Sequence, residues 1–266
     1  FSVFNNDVIK DATLYKGDIP AMYDSRLSSV LDIKTIDEIP YKFNMQGGIG
    51  ILTSRLTLGM PFNKGRSAAL IGGRITYGGI LACNIFEKLK GNSMYFYDFN
   101  AKIMHTFNDK NRLFISTYLG DDIMGMDKMM SMKYGNKNVT TRWNHIFSDR
   151  LTSNLSVFYT KYRYQIGIQM EPYDFSITAG IEDVAAKYDF TFMMNDNITS
   201  HFGASATFHQ YGQGKLDDKT GAIGAFMGVD PANEVVRKAL EYSLYFTNDH
   251  KLGPLLSIRY GLRLSM

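Results

Sequence analysis

The chain has 266 residues, a nearly balanced formal charge of +3 and 45% hydrophobic residues. That is too apolar for a disordered chain and too balanced to define a charged partner, and no basic block with interleaved aromatics marks a nucleic-acid surface. Cys83 is the only cysteine, which excludes an internal disulfide and a Cys-based zinc site. Tyrosine and phenylalanine supply nearly all of the 14% aromatic residues, and only 6 prolines stand against 24 glycines. Such a mix suits pleated surfaces better than helices. No run of about 18 apolar residues reads as a membrane helix, but a spanning β-strand needs only about 9–11 residues with every second one apolar.

In chain order, Val8–Tyr15 and Ser28–Ile33 read as two strands around a Gly17–Ala21 turn, a compact unit distinct from the rest of the chain. Two strands with a tight hairpin near Gly47-Gly48 are expected within Tyr41–Met60. From Ala69 onward strict alternation dominates. Ala69, Ile71, Gly73, Ile75 and Tyr77 oppose Gly72, Arg74 and Thr76; Tyr95, Tyr97, Phe99, Ala101 and Ile103 oppose Phe96, Asp98, Asn100 and Lys102. Period two with unlike faces means strands between two different environments. The pattern recurs at Ile198–Phe208 and Leu256–Leu264, and between Phe175 and Met193 its apolar phase slips at Glu182-Asp183, as a β-bulge would produce.

Short polar turns fall at Asn63–Gly65, Asn108–Lys110, Ser148–Arg150, Asn195–Asn197 and Asn248–His250, about 40 to 53 residues apart, or two strands plus a longer connection. The longer connections are expected at Leu81–Asn92, Asp121–Lys137, Arg163–Tyr173 and Tyr211–Asn233. Alternation of short turns with long loops is the habit of outer-membrane barrels. Trp143, Phe147, Phe107 and Phe246 near strand ends suit an interfacial girdle. A soluble β-sandwich also alternates, but its strands average about 5–6 residues, shorter than Tyr95–Phe107 or Leu151–Tyr162.

The run Ile9-Lys10-Asp11-Ala12-Thr13-Leu14-Tyr15-Lys16-Gly17-Asp18-Ile19-Pro20-Ala21, continued by Arg26-Leu27-Ser28-Ser29-Val30-Leu31-Asp32-Ile33, resembles the end of the plug domain of TonB-dependent outer-membrane receptors of the Bacteroidetes type. Asp24 stands where the family usually has glycine. Gly48–Leu58 and Tyr95–Lys102 resemble barrel strands of the same family. The resemblance implies an all-β transmembrane antiparallel barrel preceded by the end of an α+β plug. It implies a fragment: residues 1–39 as the plug's C-terminal part and 40–266 as the first half of the barrel, with about 10–11 strands of about 22. It also implies import of a scarce or bulky nutrient (siderophore, vitamin, oligosaccharide or peptide), driven by the TonB–ExbB–ExbD complex through a region outside this chain. The expected partners are thus the lipid bilayer, the nutrient and that complex, with a surface lipoprotein left open. A passive or scaffold barrel and a soluble β-sandwich binding module are the rival readings.

No catalytic constellation, cofactor or metal site is expected. The five histidines match no HExxH motif, and Gly72-Gly73 and Gly78-Gly79, read as barrel-strand glycines, form neither a phosphate loop nor a dinucleotide fingerprint. Arg74, Lys102, Arg142, Lys187, Arg259 and Arg263 fall on polar strand faces, where plug contact or lumen lining is expected, and Arg26 of the plug-like motif is a further contact candidate. Met126, Met129, Met130 and Met132 are expected in an extracellular loop, where thioethers make an adaptable binding surface but lack the His or Cys that copper capture needs.

Overall fold

The computed structural model describes residues 5–17, 19–23, 29–87, 90–127, 129–171, 173–221 and 235–266. Two sheets form. A short helical turn, Asn6–Val8, leads into β1 (Ile9–Tyr15), which pairs antiparallel with β2 (Val30–Thr35). The second sheet has eleven strands in sequence order: β3 (Asn44–Ile49), β4 (Thr53–Phe62), β5 (Ser67–Thr76), β6 (Ser93–Asn108), β7 (Asn111–Met126), β8 (Met130–Ser148), β9 (Leu151–Met170), β10 (Tyr173–Asn195), β11 (Ile198–Asp218), β12 (Val236–Lys251) and β13 (Ser257–Ser265). Every neighbouring pair is antiparallel. The expected hairpin before Met60 exists, turning at 50–52 rather than at Gly47-Gly48.

The sheet wraps the N-terminal segment. Asn5 Nδ2 donates to Thr57 Oγ1 on β4 at 3.2 Å, while Arg263 Nη1 on β13 donates to the Ala21 carbonyl at 3.1 Å. Nine strand spacings of about 4.8 Å separate β4 from β13, roughly 43 Å if laid flat. One small segment reaches both strands only if the wall curls around it.

Contacts to that segment define the inner face, and the register carries it round. Arg142 pairs with Ser156, Ser156 with Lys187, Lys187 with Ser205, and Ser205 with Ser243: one polar row along the inside. The outer face at the same height is apolar and open, with Ile103, Val139, Val157, Leu240 and Leu244 all more than two-fifths exposed. A soluble monomer rarely presents so broad an apolar band. The enclosed core is small: Ala68, Met104 and Phe114 on inward positions of β5, β6 and β7, with Ile39 packed against them.

At the short-turn end the outer face carries a row of rings. Phe147 stacks towards Phe190 (centroids 6.4 Å) and Phe190 on Phe202 (5.2 Å), with His145 edge-on to Phe147 (4.4 Å). Ser153, opposite both His145 and Phe190, is small enough to lie beneath them and is 2% exposed. This is the interfacial girdle that strand-end aromatics form in barrels.

The connections at the other end differ from expectation. Those expected at Asp121–Lys137 and Arg163–Tyr173 are largely continuations of the strands: β7 runs to Met126 and β8 starts at Met130, β9 runs to Met170 and β10 starts at Tyr173. The connection at Tyr211–Asn233 begins as strand up to Asp218; residues 222–234 lie outside the described residues. Leu81–Asn92 contains part of α1 (Gly78–Ile85), so Gly78-Gly79 open a helix, where a Cβ on Gly79 would lie 2.3 Å from the Met94 carbonyl oxygen. At the short-turn end, β12 runs through Asn248–His250 and the last turn is at 252–256.

The phase slip at Glu182-Asp183 is not a bulge. β10 stays in unbroken register with β9 from Tyr173 to Phe192, and its register shift against β11 lies between Thr178 and Gly180. What changes at Glu182 is the environment. Below it the apolar residues Val184, Ala186, Tyr188, Phe190 and Phe192 point outward; above it Phe175, Ile177, Ala179 and Ile181 point inward. An outward belt of about 9 residues matches a strand crossing a bilayer. The 23 residues of β10 outgrow that belt, and beyond it the outer face meets water and the polarity reverses.

Candidate functional site

The inner face has two zones. In the lower zone, charged side chains of the wall meet the N-terminal segment. Asp37, just past β2, accepts hydrogen bonds from both Lys102 on β6 and Arg142 on β8, and Lys102 Nζ also donates to Thr35 Oγ1 at 2.8 Å. The Arg142 guanidinium lies over the Phe114 ring, 4.3 Å from its centroid. Burial pushes the Asp37 carboxyl up, but the hydrogen bonds from Arg142 and Lys102 outweigh it and hold the group below the usual carboxylate range.

The other inward cations are paired mainly with the wall itself. Arg74 Nε binds Asp98 at 2.6 Å, Lys187 lies 3.1 Å from Asp189 and over the Tyr245 ring, and Arg259 Nε binds Asp249 at 2.5 Å. Lys187 also stands 6.0 Å from the Tyr23 ring centroid, and Arg263 Nη2 reaches Ser243 Oγ at 2.6 Å. Lys102, Arg142, Lys187 and Arg259 come together around one cavity of about 690 Å³ between segment and wall, shared with Tyr23 and His201. Arg74 and Arg263 do not line it. Arg26 and Asp24 lie outside the described residues.

Asp37, Asp7 and Arg55 were not singled out by the sequence. Arg55 pairs with Asp7 at 3.2 Å and sits on the polar face of β4 beside Thr57, so alternation marks it as it marks Arg74. Asp37 lies in an irregular stretch where no periodicity applies.

Gly72 explains how closely the segment approaches. A Cβ there would stand 3.0 Å from Val8 Cγ1 and 3.4 Å from Asn5 Nδ2. Gly72→Leu should therefore displace the Asn5–Val8 turn, at a cost of about 1–3 kcal/mol for overpacking. Protease sensitivity of the first forty residues measures this, and wild-type protection would refute the contact.

In the upper zone the inner face turns apolar. Met124 pairs with Met132 and Met126 with Met130; Met132 and Met130 then pair with Ile166 and Ile168 on β9. All these side chains share the inner face, so three of the four methionines expected in a loop form the inner wall of a hairpin, and Met129 sits at its tip. The tip is braced by Met129 N–H to the Met126 carbonyl (2.8 Å), with Asp127 at φ 52°. Inward tyrosines 118, 134, 162 and 164 lie between the methionines and the charged zone. Tyr118, Tyr134, Met94 and Met124 share a cavity of about 210 Å³ with Arg74 and Asp98. Polarizable thioethers and amphipathic rings above fixed charges can hold a bulky ligand of mixed polarity. Among the described residues no group of three or more His, Cys, Asp or Glu is placed to hold a metal ion.

No protein-family model matches the sequence, and no curated protein does. Among solved structures the chain is similar to the copper transporter OprC, with a TM-score of 0.69 and 12% identity over 96% of this chain and 41% of that one. It is similar to the outer membrane transporter YddB from Escherichia coli (TM-score 0.68, 8% identity, 97% of this chain and 43% of that one). It is also similar to the ferripyoverdine receptor of the outer membrane of Pseudomonas aeruginosa (TM-score 0.66, 12% identity, 90% of this chain and 39% of that one). The shared feature is the fold, an antiparallel β-barrel of the outer-membrane type. The chain spans about two-fifths of the length of these structures.

Proposed function

We propose that this chain is part of an outer-membrane receptor of the TonB-dependent class, importing a scarce or bulky nutrient by binding and energised transport without covalent chemistry. Residues 1–39 act as the C-terminal part of a plug and 40–266 as the first half of the barrel that holds it. The observation that carries the reading is the N-terminal segment docked inside the wall through Asp37, Asp7 and Asn5. A filled lumen suits gated uptake and not an open pore. The motif spanning Ile9–Ile33 supports the Bacteroidetes type.

The upper inner zone is the proposed cargo face. Its methionines and tyrosines favour a large chelate or siderophore-like molecule over a small ion. Several similar structures support this class by name, among them the ferric preacinetobactin receptor BauA of Acinetobacter baumannii and the ferric enterobactin receptor PfeA of Pseudomonas aeruginosa. Energy would come from TonB–ExbB–ExbD acting outside this chain.

The test is uptake and conductance of the full-length protein. Uptake should stop when TonB is depleted, and planar bilayers should show no large constitutive conductance. A steady large conductance in the wild-type protein would favour a passive barrel and overturn this reading.

A further inference from the structure

The outer face above the apolar belt carries a charge arrangement that neither the fold nor transport requires. At that height β8 and β9 point Lys133, Lys137, Lys161 and Arg163 outward, on the same face as Val139 and Val157 of the belt. Lys137 and Lys161 are direct cross-strand partners, and Arg163 is paired with Gly135. Partners in an antiparallel pair stand roughly 4.5–5.5 Å apart at Cα, and like charges placed so are destabilising. Something must offset that repulsion.

Protein carboxylates do so only in part. Glu182 takes Lys161 at 2.7 Å and the Tyr159 hydroxyl at 3.0 Å. Asp121 accepts from Tyr97 Oη at 2.5 Å and lies 3.9 Å from Lys133. Lys137 and Arg163 form no ion pair among the described residues; Arg163 feels Glu182 only at longer range. Gly135 contributes no side chain, so Lys133, Lys137, Lys161 and Arg163 close around a notch of about 230 Å³, completed by Asp121 and Gln165.

We propose that this notch binds the phosphorylated headgroup of an outer-leaflet lipid. The proposal rests on the outer-membrane placement of the barrel. Height decides the ligand class: the notch opens sideways, at the next outward-facing pair above Val139 and Tyr159, where a headgroup lies when its acyl chains cover the belt. A phosphate between Lys137 and Arg163 would accept charge-assisted hydrogen bonds from both and relieve the Lys137–Lys161 repulsion. A soluble cargo entering the barrel never meets this face.

The full-length protein and the K137Q/R163Q double variant are purified from outer membranes in detergent, and bound phospholipid and phosphoglycolipid are measured by mass spectrometry. Delipidated protein is then titrated with bis-phosphorylated lipid A or with inorganic phosphate, following the thermal midpoint. Wild type should retain phosphorylated lipid, lipid A should raise its midpoint, and the double variant should bind about tenfold more weakly or worse, two cations near an anionic headgroup being lost. Equal lipid retention by both proteins overturns the proposal. So does a midpoint shift that inorganic phosphate alone reproduces, which would mark a free-anion site. If wild-type protein does not fractionate with the outer membrane, the membrane placement falls and this proposal with it. If it does fractionate there but lipid A has no effect, only the proposal falls.

Discussion

Asp37→Ala should release the first forty residues from the barrel wall. The substitution leaves Lys102, whose side chain is 8% exposed, with the Thr35 hydroxyl and the Phe114 ring, and takes from Arg142 the carboxylate it pairs with. Arg142 Nε is already buried without a hydrogen-bond partner, so the guanidinium has little else to turn to. Breaking a buried pair from one side costs about 3–5 kcal/mol; Asp37 is itself about a third exposed, which brings the expectation to about 2–3 kcal/mol. Limited proteolysis of the folded, membrane-inserted protein reads this as faster cleavage before residue 40, with the barrel unchanged. The combined change of Asp37→Ala and Lys102→Met should restore part of the protection, since it removes the stranded cation as well. Unchanged protection in Asp37→Ala would show that the segment is held by packing around Val8 and Ile39 and not by this carboxylate.

The same contact sets a pH response. Asp37 is held below its ordinary value of 3.8, so its contribution is complete above that value and fades as pH falls through the lower, docked value. Protection of the segment should be flat from neutral pH down to about 4 and decline only below it. A loss centred near pH 6 would show that a group other than Asp37 controls the docking.

Much of the wall was legible because a strand between lipid and lumen must alternate. The lower halves of β6, β9 and β11 largely do so, with Met104 and Phe158 inward and Ser153 and Ser200 outward among the exceptions, and each cation chosen from the polar faces of strands points inward. Turns such as Ser148–Arg150 were legible because Asn, Asp and Gly close them cheaply. The upper halves of the strands were misread for a physical reason. Past the belt, inside and outside exchange polarity, so an uninterrupted strand looks like a bulge at Glu182 and like a loop around Met126. Asp37 was illegible for another: its partners lie 65 and 105 residues away, and only the docking of β1 and β2 brings them together.

The polarity exchange has its own test, on one strand. Val157 points outward from the middle of the belt on β9, Gln165 points outward above it, and Ile166 points inward beside Met132. Arginine at a lipid-facing midplane position costs a barrel about 2–4 kcal/mol, falling to about 0–1 near the interface. Val157→Arg should therefore lower folding stability in lipid by about 2–4 kcal/mol, while Gln165→Arg should leave it within about 1 kcal/mol of wild type. Ile166→Arg should also fold, since its side chain meets the aqueous vestibule, but it puts a charge among the methionines and should weaken cargo binding about tenfold through lost apolar contact. If Gln165→Arg destabilised as Val157→Arg does, lipid would cover β9 at that height and the reversal would not mark the membrane surface. If Ile166→Arg left cargo binding untouched, the methionine face would be a hairpin's internal packing and the receptor's site would lie elsewhere on the wall.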